Sequence, residues 1–204
     1  MSVLIIDYGL GNLLSVKRAF EECGADAFIS NNPGDITKAK RLVLPGVGAF
    51  KDGMDSLNKS GWTEVIRKST LEDEMPLLGI CLGMQLLADK GYEGEQTLGL
   101  GIIPGEVVKL SSVSVNERIP HVGWNEINKN RENILFDDIE DKTDFYFVHS
   151  YQFVPQDKSN IVTTTPYCGG FVSAISFKNI FGVQFHPEKS LPSGFKLIEN
   201  FLKV

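Results

Sequence analysis

Four short apolar runs, each followed by a turn and a helix-like pattern, constrain the fold of the first 88 residues more than any other feature. Val3 to Ile6 is wholly apolar and rich in β-branched residues, as expected of a strand buried on both faces of a sheet. After the turn Asp7-Tyr8-Gly9-Leu10-Gly11-Asn12, the spacing places Leu13, Val16, Phe20 and Cys23 on one helical face, and Gly24 supplies the stop. Ala27 to Ile29 reads as a second strand, with Asp35 as the cap of a short helix beyond it. Leu42-Val43-Leu44 is a third strand, running into Pro45-Gly46-Val47-Gly48. Lys51 to Glu72 is helical in character with a break at Ser60-Gly61, Pro76 to Ile80 is the fourth strand, and a helix is expected from Met84 to Ala88. This alternation predicts a mostly parallel sheet wrapped by helices, with the functional site at the carboxyl ends of the strands. Tyr8, Gly46 to Gly48 and Cys81 would meet there.

Beyond Gly91 the chain changes character. Gly105 to Leu110 and Phe145 to Val148 read as strands, as do Ile161 to Thr165, Ser173 to Phe177 and Ile180 to Gln184. Turn signals separate the last three, which predicts antiparallel additions to the sheet, and after Pro192 a closing helix turns Ile198 and Leu202 inward. The 204 residues suit one sizeable core, and no linker or repeat divides them, so residues 1–204 are expected to form a single domain. The formal charge of −6, with no long basic run, disfavours a nucleic-acid partner. No stretch is long and apolar enough to span a bilayer and no basic leader is present, so a cytoplasmic protein without a membrane partner is expected. Three widely spaced cysteines fit a reducing compartment and match neither a disulfide framework nor a zinc template; no metal and no cofactor are expected. Cys23 reads as a small core residue and Cys168, beside two glycines, as an exposed turn residue.

Chemistry concentrates in Gly79-Ile80-Cys81-Leu82-Gly83, a cysteine version of a nucleophile elbow. There a strand turns abruptly into a helix, the glycines allow close backbone passage, and the helix N-terminus beneath the sulfur favours thiolate. The same five residues also fit a buried cysteine at an ordinary strand end. Pro45-Gly46-Val47-Gly48 could present backbone N–H groups as one side of an oxyanion hole, or could be a glycine-rich turn. A dinucleotide reading of Gly9-Leu10-Gly11 lacks its third glycine, because position 14 is Leu. A thiolate needs an imidazole, and the chain offers His121, His149 and His186. His121 lies in an expected loop and His149 follows a strand, neither beside an acid. His186-Pro187-Glu188 is different: at the end of an extended segment, residues i and i+2 project to one side, so Glu188 could orient His186 towards Cys81. A free-standing thiol hydrolase and a non-catalytic interaction subunit are the competing readings.

The three motifs in this order, Pro45-Gly46-Val47-Gly48, Gly79-Ile80-Cys81-Leu82-Gly83-Met84-Gln85 and His186-Pro187-Glu188, resemble the class I glutamine amidotransferases. Within that family, Asp7 to Asn12, Pro120-His121-Val122-Gly123-Trp124-Asn125, Tyr146 to Tyr151 and His186 to Ser190 are similar to the glutaminase subunits of imidazole glycerol phosphate synthases. The resemblance covers essentially the whole chain. It implies a flavodoxin-like α/β fold and glutamine hydrolysis by a Cys81, His186 and Glu188 triad, with Leu82 and Val47 supplying the oxyanion hole. It also implies that Gly48, Gln85, Glu93, Ser150 and Tyr151 surround the glutamine. Asn12, Trp124, Tyr146 and Lys189 would face a (β/α)8 cyclase as heterodimer partner, to which ammonia passes. A paralogous cyclase of a surface-sugar pathway is an alternative acceptor. Val122 stands where the family pattern implies methionine, and Gln152 where an aromatic is common.

Overall fold

The computed structural model describes residues 1–115 and 117–204. Strand β1 (Ser2–Ile6) leads into helix α1 (Leu13–Glu22), followed by β2 (Asp26–Ser30) and β3 (Arg41–Gly46). Two helices, α2 (Phe50–Ser60) and α3 (Trp62–Leu71), meet at Gly61, whose φ of 77° provides the left-handed cap that ends the first. Strand β4 (Leu77–Cys81) passes directly into α4 (Leu82–Gln85). Short strands β5 (Lys90–Gly91) and β6 (Thr97–Leu98) precede β7 (Gly105–Lys109), β8 (His121–Glu126), β9 (Asn128–Lys129), β10 (Asp144–His149) and β11 (Tyr151–Pro155). The chain closes with β12 (Ile161–Thr165), β13 (Phe171–Phe177), β14 (Ile180–Val183) and helix α5 (Leu191–Phe201).

The main sheet has the order β2-β1-β3-β4-β14-β13-β12-β9. Its first five strands pair in parallel, whereas β13, β12 and β9 add in antiparallel fashion. The expected antiparallel extension is therefore present, except that β14 runs parallel to β4 and completes the parallel half. Two smaller sheets, β10-β8 and β11-β7-β5-β6, flank it.

Apolar runs such as Val3 to Ile6 arise because both faces of the central strands are covered. Val3, Ile5, Val43, Leu78 and Ile80 pack with Val16 and Phe20 of α1 and with Leu197, Ile198 and Phe201 of α5. On the other face Leu4, Ile6, Leu42, Leu44 and Leu77 pack with Met54 and Leu57 of α2 and with Trp62 and Ile66 of α3. Burial of each such side chain contributes roughly 1.5–3 kcal/mol. Register places Gly46 opposite Cys81, and Val183 opposite Ile80, so β3, β4 and β14 end at one level. That level carries the site.

Several local expectations are corrected. The helix behind the elbow is one turn, Leu82–Gln85, rather than Met84 to Ala88. The segment following it is claimed by residues 100–103, whose N–H groups donate to the carbonyls of Leu86, Leu87 and Ala88. Asn32, not Asp35, caps the 3-10 helix Pro33–Lys38, its side chain accepting from the Gly34 N–H at 3.0 Å; Asp35 instead accepts from the Ser30 hydroxyl. His121 is the first residue of β8, not a loop residue. Cys168 does sit in a turn, with φ of 53°, but it is buried against the core while the Glu117 carboxylate accepts its N–H.

Candidate active site

Cys81 ends β4 with φ 54° and ψ −108°, a region that favours glycine and stores roughly 1–3 kcal/mol of strain. The glycines around it are required by contact. A Cβ on Gly83 would overlap the Leu44 carbonyl oxygen, and one on Gly79 would lie 2.8 Å from the Gly83 oxygen. The elbow thus brings β4, β3 and the start of α4 closer than any other residue permits. Since α4 is a single turn, its macrodipole adds little; the polarity beneath the sulfur comes from the first-turn N–H groups, including that of Leu82, which have no intrahelical acceptor.

The sulfur is held from two sides. Cys81 Sγ donates to the Val148 carbonyl at 3.8 Å and accepts from Gln184 Nε2 at 3.7 Å. Gln184 Oε1 in turn accepts from Gln85 Nε2, which also donates to the Tyr151 carbonyl, both at 2.9 Å. His186 Nδ1 lies 2.8 Å from Glu188 Oε1, and both side chains are almost wholly buried. The backbone route differs from expectation. Strand β14 stops at Val183, and Glu188 reaches His186 from a 3-10 turn over Pro187–Lys189. Among the described residues, His186 Nε2 and Glu188 Oε2 are buried without a hydrogen-bond partner. Burial lowers the His186 pKa, but the neighbouring Cys81 sulfur and Glu188 carboxylate together outweigh it and raise the value to about 10. A buried imidazole with one nitrogen fixed by a carboxylate and the other unengaged is the arrangement a thiol nucleophile requires.

Above Cys81 opens a cleft of about 290 Å³ lined by Val47, Gly48, Leu82, Gln85, Glu93, Ser150 and Tyr151. Every residue expected around the glutamine or its oxyanion therefore borders one cavity. Glu93 Oε2 accepts from the Phe50 N–H at 2.8 Å, at the first residue of α2. Gly48, with φ of 114°, has open space where a Cβ would stand. Pro120, Val148 and His149 also border the cleft, as sequence reasoning had not anticipated.

His149 belongs to a buried polar chain. Its Nδ1 is 2.8 Å from the Tyr151 carbonyl and its Nε2 is 3.1 Å from His121 Nδ1; His121 Nε2 is 3.4 Å from Asn125 Nδ2. The carbonyl at one end fixes every tautomer: His149 carries its proton on Nδ1, His121 on Nδ1, and the Asn125 amide donates at the far end. Burial pushes the His149 pKa down to about 3, with the backbone bond to Tyr151 opposing and His121 and His186 reinforcing, and pushes His121 down to about 4. Both rings are neutral.

Beneath β3 the Tyr8 hydroxyl is buried without a partner among the described residues, packed where a Gly46 Cβ would go. Burial, followed by the Cys81 sulfur, raises its pKa. Trp124, Tyr146 and Lys189 form a cluster at the surface. Trp124 and Tyr146 face each other across β8 and β10 with ring centroids 6.1 Å apart, and Lys189 Nζ lies 5.7 Å from the Tyr146 ring. Trp124 is 48% exposed rather than core. Asn12 is also exposed and its side chain does not cap α1; α1 packs beside the turn that carries Lys189.

Comparisons with known proteins agree with this geometry. The model of the family glutamine amidotransferase class-I matches residues 4–204. The chain is 47% identical over 201 residues to imidazole glycerol phosphate synthase subunit HisH 2 of Methanococcus maripaludis, covering 98% of each chain. It is 45% identical over 208 residues to imidazole glycerol phosphate synthase subunit HisH of Pelagibacter ubique, covering 100% of each. Among solved structures, PurLQS from Thermotoga maritima shares the fold with a TM-score of 0.79 at 18% identity, covering 99% of this chain and 97% of that one. With one family model spanning the elbow, the cleft and the His186–Glu188 pair, and near-half identity along the whole length, the chain belongs to the class-I glutamine amidotransferases.

Proposed function

We propose that this chain is the glutaminase subunit of an imidazole glycerol phosphate synthase, a single cytoplasmic domain that hydrolyses glutamine and delivers ammonia to a (β/α)8 cyclase. The Cys81 thiolate attacks the side-chain amide carbon, and the resulting oxyanion is taken by the N–H groups of Leu82 and Val47. His186 Nε2 gives a proton to the departing nitrogen as the tetrahedral adduct collapses to a thioester and ammonia. The same nitrogen then draws a proton from water, which attacks the thioester; the C–S bond breaks, glutamate is released, and the Cys81 thiolate and protonated His186 are restored. Glu188 holds His186 Nδ1 throughout. Gly48, Gln85, Glu93, Ser150 and Tyr151 surround the substrate, and Asn12, Trp124, Tyr146 and Lys189 meet the cyclase.

The observation that carries this reading is Cys81 at the crest of the elbow, opening into a cleft bordered by Gly48, Gln85, Glu93, Ser150 and Tyr151. The test is to capture the partner from the source cell and measure ammonia release from glutamine with and without it. Release that depends on the partner and disappears in Cys81→Ala is expected, and Trp124→Ala should lose the captured subunit while remaining folded. Partner-independent turnover of simple esters, or glutamine hydrolysis that persists in Cys81→Ala, would overturn the proposal.

A further inference from the structure

The carboxylate of Glu93 makes a contact that substrate binding alone does not require. It borders the cleft, yet its Oε2 accepts the N–H of Phe50, the first residue of α2. The residue before Phe50 is Ala49, whose side chain cannot cap a helix, so the carboxylate from a distant segment takes that role. The same segment is fastened to the start of α2 at two further points. A Cβ on Gly91 would lie 2.7 Å from the Phe50 ring, so that fully buried ring rests directly on the Gly91 backbone. One residue beyond Phe50, Lys51 Nζ pairs at 3.5 Å with Glu95, two residues beyond Glu93. Residues 91–95 therefore determine where α2 begins, and α2 begins where the 45–49 loop ends.

That loop is otherwise loosely held. Its entrance is fixed by β3, where Gly46 pairs with Cys81, but Val47 and Gly48 are exposed and Gly48 has no neighbour within ordinary contact distance of a Cβ. The position of the Val47 N–H then depends on the exit at Phe50, and the exit depends on the Glu93 cap. Glu93 Oε1 has no protein partner among the described residues, leaving one carboxylate oxygen for a cationic group in the cleft.

We propose that Glu93 is a positioning residue for the 45–49 loop as well as a ligand contact. One oxygen receives the α-ammonium of an amino-acid substrate while the other holds the exit of the loop that carries the Val47 N–H. The inference rests on the glutaminase reading above.

Two variants separate the two duties. Glu93→Gln keeps a carbonyl oxygen to accept from Phe50 N–H but carries no charge for an ammonium, whereas Glu93→Ala loses both. In the complex with the captured partner, Glu93→Gln is expected to raise KM for glutamine at least tenfold with kcat within about twofold of the parent. Glu93→Ala should raise KM similarly and also lower kcat about fivefold, the kinetic equivalent of one lost helix cap of ~1 kcal/mol. Thermal melting checks that both variants fold; a merely structural role would lower Tm in Glu93→Ala without splitting KM from kcat between the two. Equal kcat in both variants, or a kcat loss in Glu93→Gln as large as in Glu93→Ala, would overturn the inference. If instead the parent complex releases no Cys81-dependent ammonia, the glutaminase reading itself fails.

Discussion

Lowering the pH from 7 to 5 should weaken the fold through His149 and His121, because both rings are buried neutral in the native state and free to take a proton in the unfolded one. The sign follows from the depressed native values. An imidazole whose unfolded pKa is 6.5 and whose folded pKa is about 3 leaves the native state with fewer protons than the unfolded chain throughout this window, so stability falls as pH falls. At pH 5 the unfolded ring is 1.5 units below its pKa, and at 1.36 kcal/mol per unit His149 alone accounts for about 2 kcal/mol. This figure depends on the unfolded pKa and not on the precise native one, provided the latter stays well below 5. His121, held at about 4 and bonded to His149, adds up to a similar amount. His186 acts weakly in the opposite direction. Its native pKa is raised, so it stays protonated in the folded state across the window while the unfolded ring gains its proton only as pH falls through 6.5; this offsets about 0.8 kcal/mol of the loss between pH 7 and 5, and the His186 contribution is itself lost as pH rises towards 10. Carboxylates with depressed native values, such as Asp35 and Glu117, lose their contribution below their ordinary values of 3.8 and 4.5, outside the window. Urea unfolding at pH 7, 6, 5.5 and 5 reads the slope directly. His149→Asn provides the control, since its amide can still donate to the Tyr151 carbonyl but does not titrate; its slope should be at most about half that of the parent. Stability constant to within about 0.5 kcal/mol between pH 7 and 5, or an unchanged slope in His149→Asn, would refute the neutral-pair assignment.

Two substitutions examine the elbow and the orienting acid. Cys81→Gly should be at least as stable as Cys81→Ala by chemical denaturation, reversing the usual ~0.5–1 kcal/mol preference for alanine, because φ 54° and ψ −108° suit glycine; a clear advantage for alanine would show that the elbow is unstrained. Glu188→Gln retains an acceptor for His186 Nδ1 but removes a charge that raises the imidazole pKa, so partner-activated glutaminase activity should fall at least tenfold, with the basic limb of its pH profile shifted to lower pH. An unshifted profile would mean that Glu188 acts by geometry alone.

What was legible in the sequence follows from how local each constraint is. Val3 to Ile6 and Leu42 to Leu44 read as buried strands because their neighbours on both faces are apolar whatever the partner residues are. The elbow was legible because Gly79 and Gly83 are demanded by backbone contacts made within the turn itself and with the adjacent strand. His186 and Glu188 are two residues apart, so their contact survived an incorrect assumption about the backbone joining them. The length of α4 was not legible, since the carbonyls of Leu86 to Ala88 are claimed by N–H groups of residues 100–103 and no local pattern announces that competition. Cys168 is drawn inward by equally distant partners. Glu117 takes its N–H, and Tyr167 stacks on His121 with ring centroids 4.0 Å apart. The His121–His149 contact joins residues 28 apart through the pairing of β8 with β10, and no acid beside either histidine signals it, because two neutral imidazoles satisfy one another.

The site divides into a fixed half and an adjustable half, and the fixed half is tied to the surface cluster by unusually short connections. His186 N–H donates to the Tyr146 carbonyl at 2.9 Å, the Tyr146 N–H donates to Ser190 Oγ at 3.1 Å, and that hydroxyl donates to the His186 carbonyl at 2.6 Å. The loop of three bonds locks the backbone of His186 to that of Tyr146, and the Tyr146 side chain is the centre of the Trp124–Tyr146–Lys189 cluster. A protein docking on that cluster therefore acts on the imidazole through a single residue. On the opposite wall, Val47 and Gly48 lack comparable bracing among the described residues, and under the proposed mechanism the Val47 N–H is brought to position by the substrate and by the start of α2. Under that mechanism Cys81 and His186 are preorganised, and control over turnover lies with the groups that complete the oxyanion side.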